Sequence, residues 1–324
     1  MRNYFLSANK MHPHRPKRRL RTALLAAGAA LILAAAAVPV LRNAEHQSLD
    51  AAARRQAPGQ FVQLSHGMVN YQAAGPADGR PVVLVHGFSV PQYVFDRTRE
   101  ALAGAGFRVV SFDLYGRGWS DRPDVTYDRD LLAGEVNDLM DALHMPRADV
   151  VGLSMGGAVV GHFAALHPER VRSLVLIAPF TQPHDISVMA WPGVGEYAFR
   201  SWYLPSLASN QTGDFPHPER FADWPPRFLP QMQYDGFGRA ILSTIRNVVP
   251  HSSVPDFEAV GKSGVPVQLV WGERDLTVPY AQHADVQRAI PQAQFVSLPG
   301  IGHLPVVEDP AAVHPKLVDF LRAH

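Results

Sequence analysis

Five short, almost uninterrupted apolar runs constrain this chain most: Pro81–His86 (PVVLVH), Arg108–Asp113 (RVVSFD), Asp149–Leu153 (DVVGL), Arg172–Ile177 (RSLVLI) and Val267–Trp271 (VQLVW). A strand with one wet face alternates apolar and polar residues, whereas a strand covered on both faces reads as a continuous run. Helix-length segments near 92–104, 128–143, 156–167, 280–290 and 310–322 separate the runs or follow them. The last opens on Asp309-Pro310, an N-cap followed by Pro at the first helical position. Strands alternating with helices predict an α/β fold, a mostly parallel sheet with helices on both faces. Weaker strands at Phe61–Leu64, Met68–Ala73 and Gln294–Leu298 bring the sheet to about eight.

Composition excludes several classes. The chain has 324 residues, 47% of them apolar, so it can bury a full core, and 25 Gly with 28 Pro are too few for a collagenous or low-complexity chain. The absence of Cys removes disulfide scaffolds, thiolate zinc sites, iron–sulfur clusters and a Cys nucleophile. Charge is asymmetric: residues 1–43 carry eight Lys/Arg and no acid, while residues 44–324 hold 22 basic against 29 acidic residues, a net of −7. A body of that sign is not built for nucleic acid.

The basic residues belong to a head, 1–22, that precedes the uncharged stretch 23–41. As a helix, those 19 residues span about 28 Å, near the hydrocarbon thickness of a bilayer. With the cluster Lys17-Arg18-Arg19 retained inside, the head is expected in the cytoplasm and everything after Arg42 outside it. Either the segment is kept as a membrane anchor, or it is a signal cut near Ala35-Ala36-Ala37, leaving a secreted or periplasmic protein. Residues 42–60, polar and without apolar periodicity, read as a linker. The core is then 61–180 and 250–324.

Residues 181–249 interrupt the alternation. Between 181 and 240 stand 11 aromatic residues and eight Pro, with Trp191, Trp202 and Trp224 among them. Such a segment suits a lid of irregular helices, with an aromatic face lining an apolar substrate pocket.

The chemistry is expected from Gly152-Leu153-Ser154-Met155-Gly156, which follows a strand and precedes a helix. A Ser on so tight a turn lifts its hydroxyl off the sheet, and Gly152 and Gly156 remove side chains that would collide there. A nucleophilic Ser needs a base, and the base an orienting carboxylate. Of 15 His, His303 stands in a loop between the last strand and the final helix, and Asp275 lies just past Val267–Trp271. Both loops follow carboxyl ends of strands, where open α/β sheets place their chemistry. Glu273 is the rival acid, earlier in the same loop, and Asp285 falls on a helix face. Oxyanion donors are expected from the N–H groups of Met155 and Phe88, with Gly87 admitting the close approach. His86 reads as structural, and the glycine-bearing Asp113–Asp121 loop as a fixed turn, because it lacks the Lys-Ser/Thr ending of a phosphate loop. No metal-ligand spacing is visible and no cofactor is implied.

Taken in order, HGF at 86–88, DLYGRGWSD at 113–121, GLSMGG at 152–157, WGERD at 271–275 and GH at 302–303 resemble the α/β-hydrolase family over residues 60–322. The resemblance implies a helical cap inserted after the sixth strand and a Ser154–His303–Asp275 triad. Ser154 stands where haloalkane dehalogenases and soluble epoxide hydrolases use Asp. Met155 replaces the Trp of proline iminopeptidase-like members, and Leu153 the Asn of many carbon–carbon bond hydrolases. The Ser-Met-Gly-Gly form is similar to carboxylesterases, monoacylglycerol lipase-like enzymes, lactonases and cofactor-free haloperoxidase-like esterases. The expected activity is hydrolysis of a small-molecule or lipid ester with an apolar acyl or aryl part, with no nucleic-acid partner. A lactonase, carbon–carbon hydrolase, amidase or peptidase with the same triad is the alternative, followed by a non-catalytic receptor on the same scaffold.

Overall fold

The computed structural model describes residues 16–324, which divide into an N-terminal unit ending at Asn43 and a body beginning at Ala44. The N-terminal unit is a single helix, α1 (Pro16–Leu41), of which the 22 residues Leu20–Leu41 are long and apolar enough to cross a membrane. It begins seven residues before the uncharged stretch, because Lys and Arg are good helix formers. Residues 1–15 of the expected head lie outside the described residues.

In the body, eight strands form one sheet: β1 (Gln60–Leu64), β2 (Gly67–Ala74), β3 (Pro81–Val85), β4 (Arg108–Phe112), β5 (Ala148–Leu153), β6 (Val171–Ile177), β7 (Val267–Gly272) and β8 (Gln294–Leu298). Their spatial order is β1-β2-β4-β3-β5-β6-β7-β8. β2 pairs antiparallel with β1 and β4, and all other neighbours are parallel. Period-2 geometry explains the apolar runs, since Val83 and Val85 enter the core on one face while Val82 and Leu84 enter the core on the other. The weakly patterned β1 and β8 are the edges, with Gln60, Gln63 and Gln294 in solvent.

A short helix α2 (Ala51–Arg54) precedes the sheet. Helices α3 (Asp96–Gly104), α4 (Arg129–Ala142) and α5 (Met155–Leu166) follow β3, β4 and β5. Between β6 and β7 the chain forms α6 (Val194–Ala198), α7 (Leu204–Asn210), α8 (Trp224–Phe228), α9 (Phe237–Asn247) and α10 (Val254–Ser263). Phe257 and Val260 of α10 pack in the same core as α5, so α10 is the ordinary crossover helix and the insertion lies before it. α11 (His283–Ala289), α12 (Pro305–Glu308) and α13 (Pro310–Ala323) complete the chain, the last capped by Asp309, whose carboxylate accepts Ala312 N–H at 3.0 Å.

Two sequence expectations need revision. Residues 44–59 are held to the body and do not hang as a linker. His46 and Gln47 donate N–H groups to Gln233 C=O at 2.9 and 3.0 Å, Gln47 C=O accepts from Asp235 N, and the Glu45 carboxylate accepts from Gly236 and Gly238 N–H. Backbone pairing and one carboxylate leave no apolar periodicity to read. Most of the insertion's aromatic residues also do not line the cavities beside Ser154, Tyr203 being the exception among the described residues. Phe199, Phe215, Trp224, Phe228 and Phe237 pack into the core on one face of the sheet, while Trp191 and Trp202 are 65% and 56% exposed. Rings of that size gain most where both faces are buried, so they build the insertion's own support.

Candidate active site

Strand order reverses at β3: the chain passes outward from it to β4, then crosses back to β5 on its other side. The crevice beyond the carboxyl ends of β3 and β5 is therefore the topological switch point. Ser154 stands at that point, between β5 and α5, with φ 57° and ψ −121°. Three backbone hydrogen bonds of 2.9 Å hold this strained turn: Ser154 N–H to Ile177 C=O, and Phe180 N–H and Gly157 N–H to Ser154 C=O. A Cβ on Gly156 would overlap the carbonyls of Val85 and His86, and one on Gly152 would overlap Gly156 itself. Glycine at both positions is therefore a packing requirement.

His303 follows β8, and Asp275 follows β7. The structure brings the two together, with Asp275 Oδ2 2.8 Å from His303 Nδ1 and both side chains buried. Asp275 Oδ1 accepts N–H groups of Thr277 and Val278 at 2.9 Å each, which presents Oδ2 to the imidazole. Nδ1 therefore carries the proton, and Nε2 is the basic nitrogen. Burial lowers the imidazole's proton affinity, but the Asp275 carboxylate, with Asp214 and Glu308, outweighs it and raises His303 above the ordinary value of 6.5. Glu308 clamps the loop from behind by accepting Gly302 N–H at 2.9 Å and Leu304 N–H at 3.0 Å. The other acids lie elsewhere: Glu273 accepts from Ser297 Oγ at 2.7 Å, and Asp285 on α11 bonds Gln182 and Arg288.

The loop after β3 is fixed from below. Leu114 N–H can only donate, so His86 Nε2 accepts it at 2.9 Å and His86 Nδ1–H is given to Gly87 C=O at 2.8 Å. That bond orients the Gly87–Phe88 peptide, whose N–H belongs to Phe88. Burial pushes the His86 imidazole down to about 3, so it stays neutral. Met155 opens α5, and an N–H in a helix's first turn has no acceptor within the helix.

The Asp113–Asp121 loop is the expected fixed turn with an added reach. Asp113 accepts N–H groups of Gln92 and Trp119 at 2.9 Å each, and burial raises its carboxyl to about 6. Arg117, fully buried, donates to Phe88 C=O at 2.9 Å, Tyr115 C=O at 3.0 Å and Thr244 Oγ1 at 2.7 Å on α9. No sequence motif announced that link.

Two cavities flank Ser154. One, of about 510 Å³, is lined by Met155 and by aliphatic residues of the insertion, Ile186, Val188, Met189, Ile245, Val248 and Val249. The other, of about 280 Å³, is lined by His303 with Ser89, Asn210, Gln211, Asp214 and Thr277. Phe88 and Tyr203 border both. Tyr203 ends a π-helical stretch, Phe199–Tyr203, that joins α6 to α7, and such stretches recur at functional sites. Asp214 is the carboxylate the sequence did not reveal. It lies in no motif, and only the insertion's fold brings it to His303, whose N–H donates to Asp214 C=O at 3.0 Å. Among the described residues there is no group of three or more His, Cys, Asp or Glu side chains able to hold a metal ion.

The family profile described as the alpha/beta hydrolase fold matches residues 80–310. The dihydrolipoyllysine-residue acetyltransferase component of the acetoin cleaving system of Pseudomonas putida is 31% identical over 316 residues, covering 89% of this chain and 80% of that protein. Lipase 3 of Moraxella sp. is 27% identical over 241 residues, 71% of this chain and 73% of the lipase. The crystal structure of the enol-lactonase from Burkholderia xenovorans LB400 superposes with a TM-score of 0.72 at 24% identity, over 81% of this chain and 100% of that one. That fold supports hydrolase activity, and the chain belongs to the α/β-hydrolase family.

Proposed function

We propose that the protein is a serine hydrolase of carboxylic esters, acting through an acyl-enzyme and tethered to a membrane by α1. The observation that carries this reading is the buried Asp275–His303 pair, whose imidazole opens onto the same cavity as the strained Ser154. The likeness to a bacterial lipase supports it.

In the first step Ser154 Oγ bonds to the ester carbonyl carbon as His303 Nε2 takes the hydroxyl proton. The carbonyl π pair moves onto oxygen, and the N–H groups of Phe88 and Met155 meet that charge. Collapse of the intermediate breaks the bond to the alcohol oxygen, which receives the proton from His303. Water then adds to the acyl-enzyme, its proton passing to His303 and on to Ser154 Oγ as the carboxylic acid leaves. Asp275 holds the imidazole tautomer and stabilises its charged form throughout. Gly152 and Gly156 keep the elbow closed enough for this geometry.

The basic head and the apolar stretch of α1 support a retained anchor, which puts the catalytic body outside the cytoplasm. A cleaved signal would instead give an exported protein without α1. Residues 181–249 serve in this reading as the cap over the acyl side of the site.

A fluorophosphonate probe tests the nucleophile: the parent chain is expected to be labelled and Ser154→Ala not. Equal labelling of the two removes the assignment. Kinetics on p-nitrophenyl esters of increasing acyl length, beside lactones and aminoacyl amides, test the substrate class, with the esters expected to dominate. N-terminal sequencing of protein from washed membranes tests the anchor; a start after Ala37 overturns it.

A further inference from the structure

We infer that the chamber beside His303 receives the leaving alcohol, and that Asp214 selects there for an uncharged, hydroxyl-bearing alcohol such as glycerol over one bearing an anion. This deepens the ester-hydrolase reading and rests on it.

The direction follows from the proton's path. The imidazole that takes the serine proton must return it to the leaving oxygen, so the alcohol departs on the face where His303 stands. His303 lines the 280 Å³ chamber and not the 510 Å³ one, whereas Met155, an oxyanion donor in this reading, lines only the larger. The aliphatic chamber is thereby left for the acyl chain.

The chemistry of the smaller chamber defines the alcohol. Its polar lining comes from Ser89, Asn210, Gln211, Asp214 and Thr277. Gln211 Nε2 is engaged with Ser89 Oγ at 3.3 Å and Leu207 C=O at 3.1 Å, and Asn210 Nδ2 with Ser206 Oγ at 3.2 Å. Asp214 Oδ1 accepts from Thr277 Oγ1 at 2.7 Å. An ionised carboxylate offers about four acceptor positions, so this bond leaves capacity for hydroxyl donors of a bound alcohol. No Lys or Arg lines either chamber among the described residues, while Asp275 and Glu308 stand close behind His303. A phosphate or carboxylate on the alcohol would meet Asp214 with no Lys or Arg to offset it, the His303 imidazolium being already paired with Asp275, and the low local dielectric strengthens that repulsion.

The test compares kcat/KM for 1-decanoylglycerol and for 1-decanoylglycerol 3-phosphate, with active sites counted by fluorophosphonate labelling. The parent is expected to favour the neutral ester by tenfold or more, and Asp214→Asn to shrink that preference by about tenfold. A parent preference for the phosphate-bearing ester, or a preference unaltered by Asp214→Asn, overturns the inference. The parent's own preference is decisive even if the variant fails to fold. A parent that hydrolyses neither these esters nor p-nitrophenyl decanoate removes the ester-hydrolase reading itself. Turnover of both acylglycerols with a ratio unaltered by Asp214→Asn overturns this inference and leaves the ester-hydrolase reading standing.

Discussion

The Arg117 guanidinium donates its Nε–H to the carbonyl oxygen of Phe88 at 2.9 Å, so the loop proposed to bind the oxyanion is held by a side chain from the turn after β4. The same guanidinium reaches Thr244 on α9, joining that loop to the insertion. Burial lowers Arg117 to about 10, which still leaves it protonated at neutral pH. A Lys ammonium cannot reproduce the planar fork. Arg117→Lys is expected to lower kcat about tenfold, less than the roughly 100-fold or greater cost of deleting an oxyanion donor. It is also expected to destabilise the fold by about 1–3 kcal/mol for each acceptor left unpaired. Steady-state kinetics normalised to labelled sites check the first and denaturant melts the second; an unchanged kcat would separate Arg117 from the oxyanion loop.

Glu308 is expected to act on His303 through the backbone. Its carboxylate bonds the N–H groups of Gly302 and Leu304, the residues on either side of the imidazole. Glu308→Ala frees the loop, and a shift of about 1 Å at a reacting group costs on the order of 100-fold in rate. The variant should therefore lose kcat while KM for a short ester stays within about twofold, and Glu308→Gln should recover only part, because an amide offers one acceptor oxygen instead of two. Equal losses in kcat and in melting temperature for both variants would point to a purely structural role.

These two residues mark where the sequence stops being informative. β3, β5 and β7 are legible because burial on both faces demands apolar residues at every position, and Ser154 because its turn demands glycine at two fixed offsets. Asp275 and His303 are legible from their places after β7 and β8. Asp214 and Arg117 reach Thr277 and Thr244 across long sequence separations, and Glu308 acts through a carboxylate clamp on its own loop; no local periodicity records such bonds. The insertion misleads for a related reason. Aromatic density reports where area is buried, and here most of the buried rings pack against the sheet face, while aliphatic residues with Tyr203 supply the insertion's apolar lining of the cavity.

The pH dependence of kcat/KM should carry the signature of the His303–Asp275 pair. A general base works only when neutral, and the neighbouring carboxylates raise His303 above 6.5. Activity is therefore expected to fall with acid along a limb whose midpoint lies above pH 6.5. Asp275→Asn removes the largest raising influence, so the limb should move to lower pH as kcat drops by about 10⁴-fold, the loss seen when a triad Asp is replaced by Asn. His86 contributes no limb in this range, since burial has pushed it to about 3. A parent midpoint well below 6.5 would argue that another group controls the reaction.

A second histidine should control stability instead of rate. His162 on α5 lies between two carboxylates, with Nδ1 3.0 Å from Asp256 Oδ1 on α10 and Nε2 2.8 Å from Asp130 Oδ1 on α4. The hydrogen bond to Asp256 leads the effects on its pKa, and with Asp130 it outweighs partial burial, so His162 is raised above 6.5 in the folded chain. A raised imidazole contributes stability that is complete below the unfolded value and is lost as pH climbs through the folded one. Asp130 is exposed and Arg129 already pairs with Asp256, so the contribution is expected to be about 1 kcal/mol. For a body of this size that is a difference in Tm of about 2 °C. His162→Asn should melt below the parent by that amount at pH 5.5, with the gap closing by pH 9. A gap that widens as pH rises would mean that the neutral imidazole, and not the imidazolium, holds the three helices together.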